Sequence, residues 1–422
     1  MKTTGVPAAT LSLPKRLSLL FVLSFIGLVF GACLLEVTVR LFFPTTDFLW
    51  QWDSRIGLTL IPGMRGRSVK PGVFDVRVDV NSAGFRDREH SIEKPAGIRR
   101  IALLGDSFVE AIQVPFEDSI TAQLEDRLKT AGRETELLNF AVSGTGTARH
   151  YLALQEYAAA YKPDVVLLFF FAGNDISDNS RRLSGRSYVP YPQTNSDGVL
   201  IRSENGEPAF TPFSDDSSVL TPITELLKNR WKSYRFLRET IDNSPAVNRL
   251  LHSFNSTNAS QESVSAPVLE NLGLYEVYRI EQKPVWAEAW RVSEELILAV
   301  QDFAQTHGAK LGVVLIPASW EVYPHLWDAI LASTPGMREV ALDPEQPSKR
   351  FTRFLTDHGV AVLNLLPEFR QRATGSSSLY IESDGHWTAE GHRLAADLIA
   401  PRVSAMLASD GVSTTKVHTP AQ

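Results

Sequence analysis

The sequence predicts an α/β fold built on a parallel sheet, and three features predict it. Short apolar runs at residues 101–104, 137–142, Val165–Phe171 and Lys310–Ile316 have strand length and almost no polar side chains, as strands buried on both faces require. Stretches of helical periodicity separate them. The first three runs each stop at glycine and polar groups: Gly105-Asp106-Ser107, Ser143-Gly144-Thr145-Gly146 and Ala172-Gly173-Asn174-Asp175. Right-handed strand–helix–strand crossovers make such strands parallel, so Ser107, Gly144 and Asn174 fall on one edge of the sheet. Open α/β sheets bind their ligands outside that edge.

The chain has 422 residues, 44% hydrophobic, with a formal net charge of −6, enough for a large core and without the basic footprint of a nucleic-acid partner. Cys33 is its only cysteine, so one chain can form neither a disulfide nor a cysteine-based zinc site. After a 1–16 tail, residues 17–35 are uncharged, and at ~1.5 Å per residue they nearly cross a hydrocarbon core of ~30 Å. Residues 17–38 therefore read as a transmembrane helix. A cleaved signal peptide is the competing reading, but its apolar region is usually shorter and no clear Ala-x-Ala site follows; Phe30-Gly31-Ala32-Cys33 resembles a degenerate lipid-attachment box. Lys2, Lys15 and Arg16 precede the span, whereas Glu36, Arg40, Asp47, Asp53 and Arg55 follow it. The positive-inside rule then makes the N-terminus cytoplasmic and the remainder periplasmic or extracellular.

Residues 41–99 read as a β-containing connection: Phe74, Val76, Val78 and Val80 alternate with Asp75, Arg77 and Asp79 before a turn at residues 81–84. Phe85-Arg86-Asp87 is expected to fold back on the core for structural reasons. Residues 100–408 form the main domain. Beyond Ser107, Asp118 is the expected N-cap of a helix with Ile120, Leu124 and Leu128 on one face and Gly132 as its stop. A further helix is expected over 147–161. Residues 176–284 break the alternation with Pro, Ser, Asn and Gly, most polar at 255–260, and read as an insertion with little sheet. Within it, residues 221–240 read as a helix packed on the core, with a lid or a membrane-surface helix as alternatives. Alternation resumes with a helix carrying Ala289, Val292, Leu296, Val300 and Phe303 before Gly308, then strand Lys310–Ile316, a helix at 348–358 and a fifth strand at 360–363. Ser383-Asp384-Gly385-His386-Trp387-Thr388 opens a last helix with Leu394, Leu398 and Val403 facing inward, and a 409–422 tail ends the chain.

Four blocks, Gly105-Asp106-Ser107, Gly144, Gly173-Asn174-Asp175 and Asp384-Gly385-His386, resemble in order and strand position the SGNH (GDSL) hydrolase family, over residues 100–177 and 285–408. The resemblance implies a flavodoxin-like three-layer α/β/α sandwich and acyl-ester chemistry needing neither cofactor nor metal, with an acyl-ester substrate such as an acylated glycan or lipid. The anchor and residues 81–86 are similar to membrane-bound bacterial members. Chemistry then suggests the roles. Ser107 would attack the ester carbonyl once His386 Nε2 removes its proton, with Asp384 holding the other ring nitrogen. The N–H groups of Ser107 and Gly144 and the Asn174 amide would receive the oxyanion. Asp106 has no required chemical step and reads as a capping residue. His150 and His392 are rival bases without a carboxylate at motif spacing, and read as structural.

The sequence departs from the family's Asp-x-x-His block, because Ser383 stands where the acid is expected. Asp384, Glu382 or a backbone carbonyl could orient the imidazole. An ester hydrolase, an O-acyltransferase acting on envelope glycans through the same site, and a catalytically silent surface binding module are the three functional readings.

Overall fold

A computed structural model describes residues 13–43, 46–47, 49–186, 189–211, 231–234, 236–237, 273–334, 336–373 and 378–408. The chain divides into two units, residues 1–48 with 217–262, and residues 49–216 with 263–422.

In the first unit, helix α1 (Leu13–Phe42) has a mean hydropathy of 2.6 over its most apolar window, long and apolar enough to cross a membrane. It outruns the span expected at 17–38. Lys15 and Arg16 stand in the first turn of the helix and Glu36 and Arg40, paired at 2.6 Å, in its last turns, so charge flanks the uncharged run at 17–35. The Glu36 carboxylate also accepts the N–H groups of Lys232 and Ser233 at 3.0 and 2.8 Å. Of the helix expected over 221–240, only residues 231–234 and 236–237 are described. The polar tract at 255–260 lies outside the described residues.

The second unit opens with two antiparallel hairpins, β1 (Trp50–Asp53) with β2 (Gly57–Leu60) and β3 (Arg65–Lys70) with β4 (Phe74–Asp79). In β4, Val76 and Val78 are buried and Asp75, Arg77 and Asp79 exposed, as the alternation requires. Five parallel strands follow: β5 (Arg99–Leu104), β6 (Thr135–Asn139), β7 (Val165–Phe171), β8 (Lys310–Ile316) and β9 (Ala361–Asn364). Their order is β6-β5-β7-β8-β9, the flavodoxin-like order, which reverses at β5 and β7. Adjacent side chains on each strand go to opposite layers. Ala102, Leu104, Val166, Leu168, Phe170, Val313 and Leu315 pack with α4 (Thr147–Glu156), α7 (Pro284–Thr306) and α10 (Gln346–Asp357). Ile101, Leu103, Val165, Leu167, Phe169, Val314 and Ile316 pack with α3 (Ile120–Thr130), α11 (Leu366–Arg372) and α12 (Ala389–Ala408). Both faces are apolar because both are covered.

Phe85-Arg86-Asp87 does return to the core: Phe85 is fully buried, edge-on to Phe140 and Tyr157 at 5.1 Å, and the Asp87 carboxylate accepts the Asn139 N–H at 2.7 Å. The helix expected at 348–358 and the strand expected at 360–363 are each shifted by one or two residues, and three other boundaries in this unit differ for a reason the side chains show. The N-cap of α3 is Ser119, not Asp118, because residues Phe116–Asp118 close a 3-10 turn and leave the serine hydroxyl to take the Ala122 N–H. Strand β6 ends at Asn139, whose side chain takes the Ala141 N–H at 2.9 Å and bends the backbone out of the ladder. The helix expected over 147–161 stops at Glu156. Tyr157 leaves helical geometry (φ −126°, ψ −59°) with its ring against Phe85 and its hydroxyl bonded to Asp53, and a 3-10 turn, Ala158–Tyr161, completes the run. Within the insertion, α5 (Asp175–Asp178), α6 (Arg181–Ser184) and isolated bridges such as Pro192–Phe210 are the structure among the described residues up to 211. Helices α8 (Ser319–Val322) and α9 (Pro324–Ser333), and α11, were not anticipated.

Candidate active site

Ser107 is the first residue of a four-residue helix, α2 (Ser107–Glu110), immediately beyond β5. Asp106 caps it, accepting the Phe108 N–H at 3.0 Å. The turn is tight. A Cβ on Gly105 would lie 2.7 Å from a Val109 methyl carbon, so this position accepts glycine alone. At its other end the helix stops on Ala111 in the left-handed region (φ 57°), and the buried Arg86 guanidinium donates to the carbonyls of Glu110, Ala111 and Val114. The part of the connection that folds back therefore holds the helix that presents Ser107.

The turn ahead of α12 brings His386 to that helix. His386 Nε2 stands 2.7 Å from Ser107 Oγ, and Nδ1 stands 2.5 Å from Asp384 Oδ1. The imidazole rests 5.0 Å from the Phe108 ring. Burial opposes ionisation of Asp384, but the His386 hydrogen bond and charge, with Lys70 beyond, hold its pKa below the ordinary carboxylate value. Glu382 is exposed. Of the three groups that could orient the ring, Asp384 is the one in contact with it.

The oxyanion candidates flank the same edge. Asn174 follows β7, and its Nδ2 donates to Asp106 Oδ2 at 3.1 Å, which ties the amide to the residue before Ser107. Asp106 is fully buried, and that burial raises its pKa. Gly144 has φ 70°, a conformation glycine adopts without steric cost, in a loop that leaves the sheet where Val142 N–H meets the Gly105 carbonyl at 3.3 Å. Two groups unread in the sequence hold this loop. Glu110 Oε2 accepts both the N–H and the hydroxyl of Ser143, and Arg186 Nη1 donates to the Gly144 carbonyl at 2.7 Å while lying 3.3 Å from Asp178. The rival bases sit elsewhere: His150 is buried against Thr145 at 3.0 Å and His392 edge-on to Trp387, and burial pushes both pKa values down to about 3. Among the described residues there is no cluster of His, Cys, Asp and Glu that could hold a metal ion.

Burial pushes the Glu110 pKa up to about 7 from an ordinary 4.5. The folded protein then keeps a proton that the unfolded chain releases above about pH 4.5, so this group's contribution to stability falls as pH climbs from 4.5 to 7. Glu110→Gln mimics the protonated acid. Between pH 5 and 8 the wild type should lose roughly 2–3 kcal/mol relative to that variant. Urea unfolding at the two pH values measures this, and equal losses in both proteins would show that Glu110 stays ionised in the fold.

A family model described as "SGNH hydrolase-like domain, acetyltransferase AlgX" matches residues 274–422, which include Asp384 and His386. No curated protein matches the sequence. Among solved structures, TesA aligns at 13% identity over 73% of this chain and 99% of its own, with a TM-score of 0.36. The acetyl xylan esterase AlAXEase aligns at 14% over 72% and 99%, with a TM-score of 0.36. The psychrotrophic esterase EstA from Pseudoalteromonas sp. aligns at 12% over 73% and 98%, with a TM-score of 0.33.

Proposed function

We propose that this chain, a member of the SGNH hydrolase family, is a membrane-anchored enzyme that cleaves carboxylic esters through an acyl-enzyme on Ser107, with its catalytic domain on the outer side of the membrane. The observation that carries the reading is the continuous relay from Ser107 Oγ to His386 Nε2 at 2.7 Å and from Nδ1 to Asp384 at 2.5 Å. His386 takes the serine proton as Oγ attacks the carbonyl carbon, while Asp384 fixes the ring and offsets the imidazolium charge. The oxyanion receives the N–H groups of Ser107 and Gly144 and the second Nδ2 proton of Asn174, whose first is committed to Asp106. Collapse expels the alcohol, which takes the proton from His386. Water then attacks the acyl carbon with His386 again as base, and the carboxylic acid leaves.

The second half-reaction accepts any hydroxyl that reaches the acyl carbon before water. The family description, which names an acetyltransferase, favours a second reading: transfer of an acetyl group to a glycan hydroxyl. One experiment treats both. Full-length protein in detergent, given p-nitrophenyl acetate, should release nitrophenol, and adding a polysaccharide acceptor should either leave acetate as the product or place acetyl groups on the glycan. Absence of both products, with no labelling by a fluorophosphonate probe, would sink the reading.

A further inference from the structure

We propose that Lys70, at the end of strand β3, is a positioning residue for the triad acid. The proposal rests on the Ser107-His386-Asp384 reading and extends it to a strand more than 300 positions away in sequence. Lys70 ends β3, where residues 66 and 68 are buried and Arg65 and Arg67 exposed, so its side chain belongs to the inward-facing set. The charges of the outer face pair within the hairpin, Arg67 with Asp75 and Arg77 with Asp79. Lys70 instead crosses to the turn ahead of α12. Its ammonium donates to the Ser383 carbonyl and lies 3.4 Å from Asp384 Oδ2. The two oxygens of Asp384 thus serve different partners, Oδ1 the imidazole and Oδ2 the ammonium.

The contact has two consequences. The turn is closed on itself by the Asp384 and Gly385 N–H groups on the Ile381 carbonyl, at 2.9 and 2.7 Å, and by Ile381 N–H on the His386 carbonyl at 2.8 Å. The Ser383 carbonyl takes no part in that closure, and Lys70 uses it to hold the turn from outside. A positive charge on the far oxygen also draws negative charge from the oxygen facing His386, which weakens the support that Asp384 gives an imidazolium. The other charged or titratable groups around the pair are Asp106 beneath Ser107, the neutral His392 on α12 with Arg86 behind it, and exposed Glu382 on the same turn. None of them contacts the outer oxygen of Asp384 in the way Lys70 does.

The test uses full-length Lys70→Met and Lys70→Arg in detergent, with kcat and KM for p-nitrophenyl acetate measured across pH. The methionine keeps the aliphatic stem and removes the charge. Lys70→Met should lower kcat about tenfold at unchanged KM, as expected for a displaced acid. Its acid limb of kcat/KM should move upward by about half a pH unit, since a partly exposed cation at this range acts through a high effective dielectric. Lys70→Arg should restore both. A Lys70→Met profile that keeps its acid limb, or a loss of kcat that arginine fails to restore, overturns the proposal, because mere support of the hairpin would move neither readout in this pattern. An active wild type with that outcome removes the Lys70 role alone. Loss of no activity in Ser107→Ala removes the triad reading and the Lys70 role together.

Discussion

Replacement of Ser107 by alanine should lower kcat for ester cleavage by about 10⁶, the loss seen when a serine-enzyme nucleophile is removed. Ser107 Oγ makes its hydrogen bond to His386 and is only half-buried, so its loss leaves the packing of α2 intact. Thermal unfolding of the variant should therefore stay within a few degrees of the wild type, which separates a chemical loss from a folding one. A fluorophosphonate should label the wild type at Ser107 and leave the variant unlabelled. Persistent labelling of Ser107→Ala would move the nucleophile to another hydroxyl.

Asp384→Asn should cost about 10⁴ in kcat, the price of losing the orienting acid in a serine-protease triad. The asparagine keeps the shape but offers no charge to an imidazolium, and its amide can stabilise the wrong tautomer. Glu382→Gln should remain near wild type, since that side chain is exposed and stands outside the relay. Steady-state kinetics on the two variants decide the matter. The reverse result would make Glu382 the acid, and two active variants would make the site a Ser-His dyad.

The strands were legible where both faces are buried, because an uninterrupted apolar run has few other solutions; Val165–Phe171 and Lys310–Ile316 have the bounds their sequences suggest. Ends decided by side-chain competition were not. Asn139 stops β6 with its own amide, and Ser119 caps α3 because the preceding three residues form a separate turn. The pairing of Asp384 with His386 was one of three alternatives, since a spacing of two residues converges only in the particular turn the chain adopts. Glu110, Arg186 and Lys70 carried no signal: each is an ordinary charged residue until the fold places it against Ser143, Gly144 or Asp384. Short helices such as Ser319–Val322 lack a full amphipathic repeat and leave little periodicity to read.

The contact between Ser107 and His386 joins positions 279 residues apart. A chain made from its N-terminus at roughly 5–20 residues per second carries Ser107 for tens of seconds before His386 has even been synthesised. Strands β5, β6 and β7 can pair during that interval, since their contacts close shorter loops, whereas β8, β9 and the last helix must wait. On the proposed function, activity would therefore belong to the finished chain only. A nascent chain that ends before His386 should then be inactive, and gain of activity would report arrival of the turn ahead of the final helix beside Ser107.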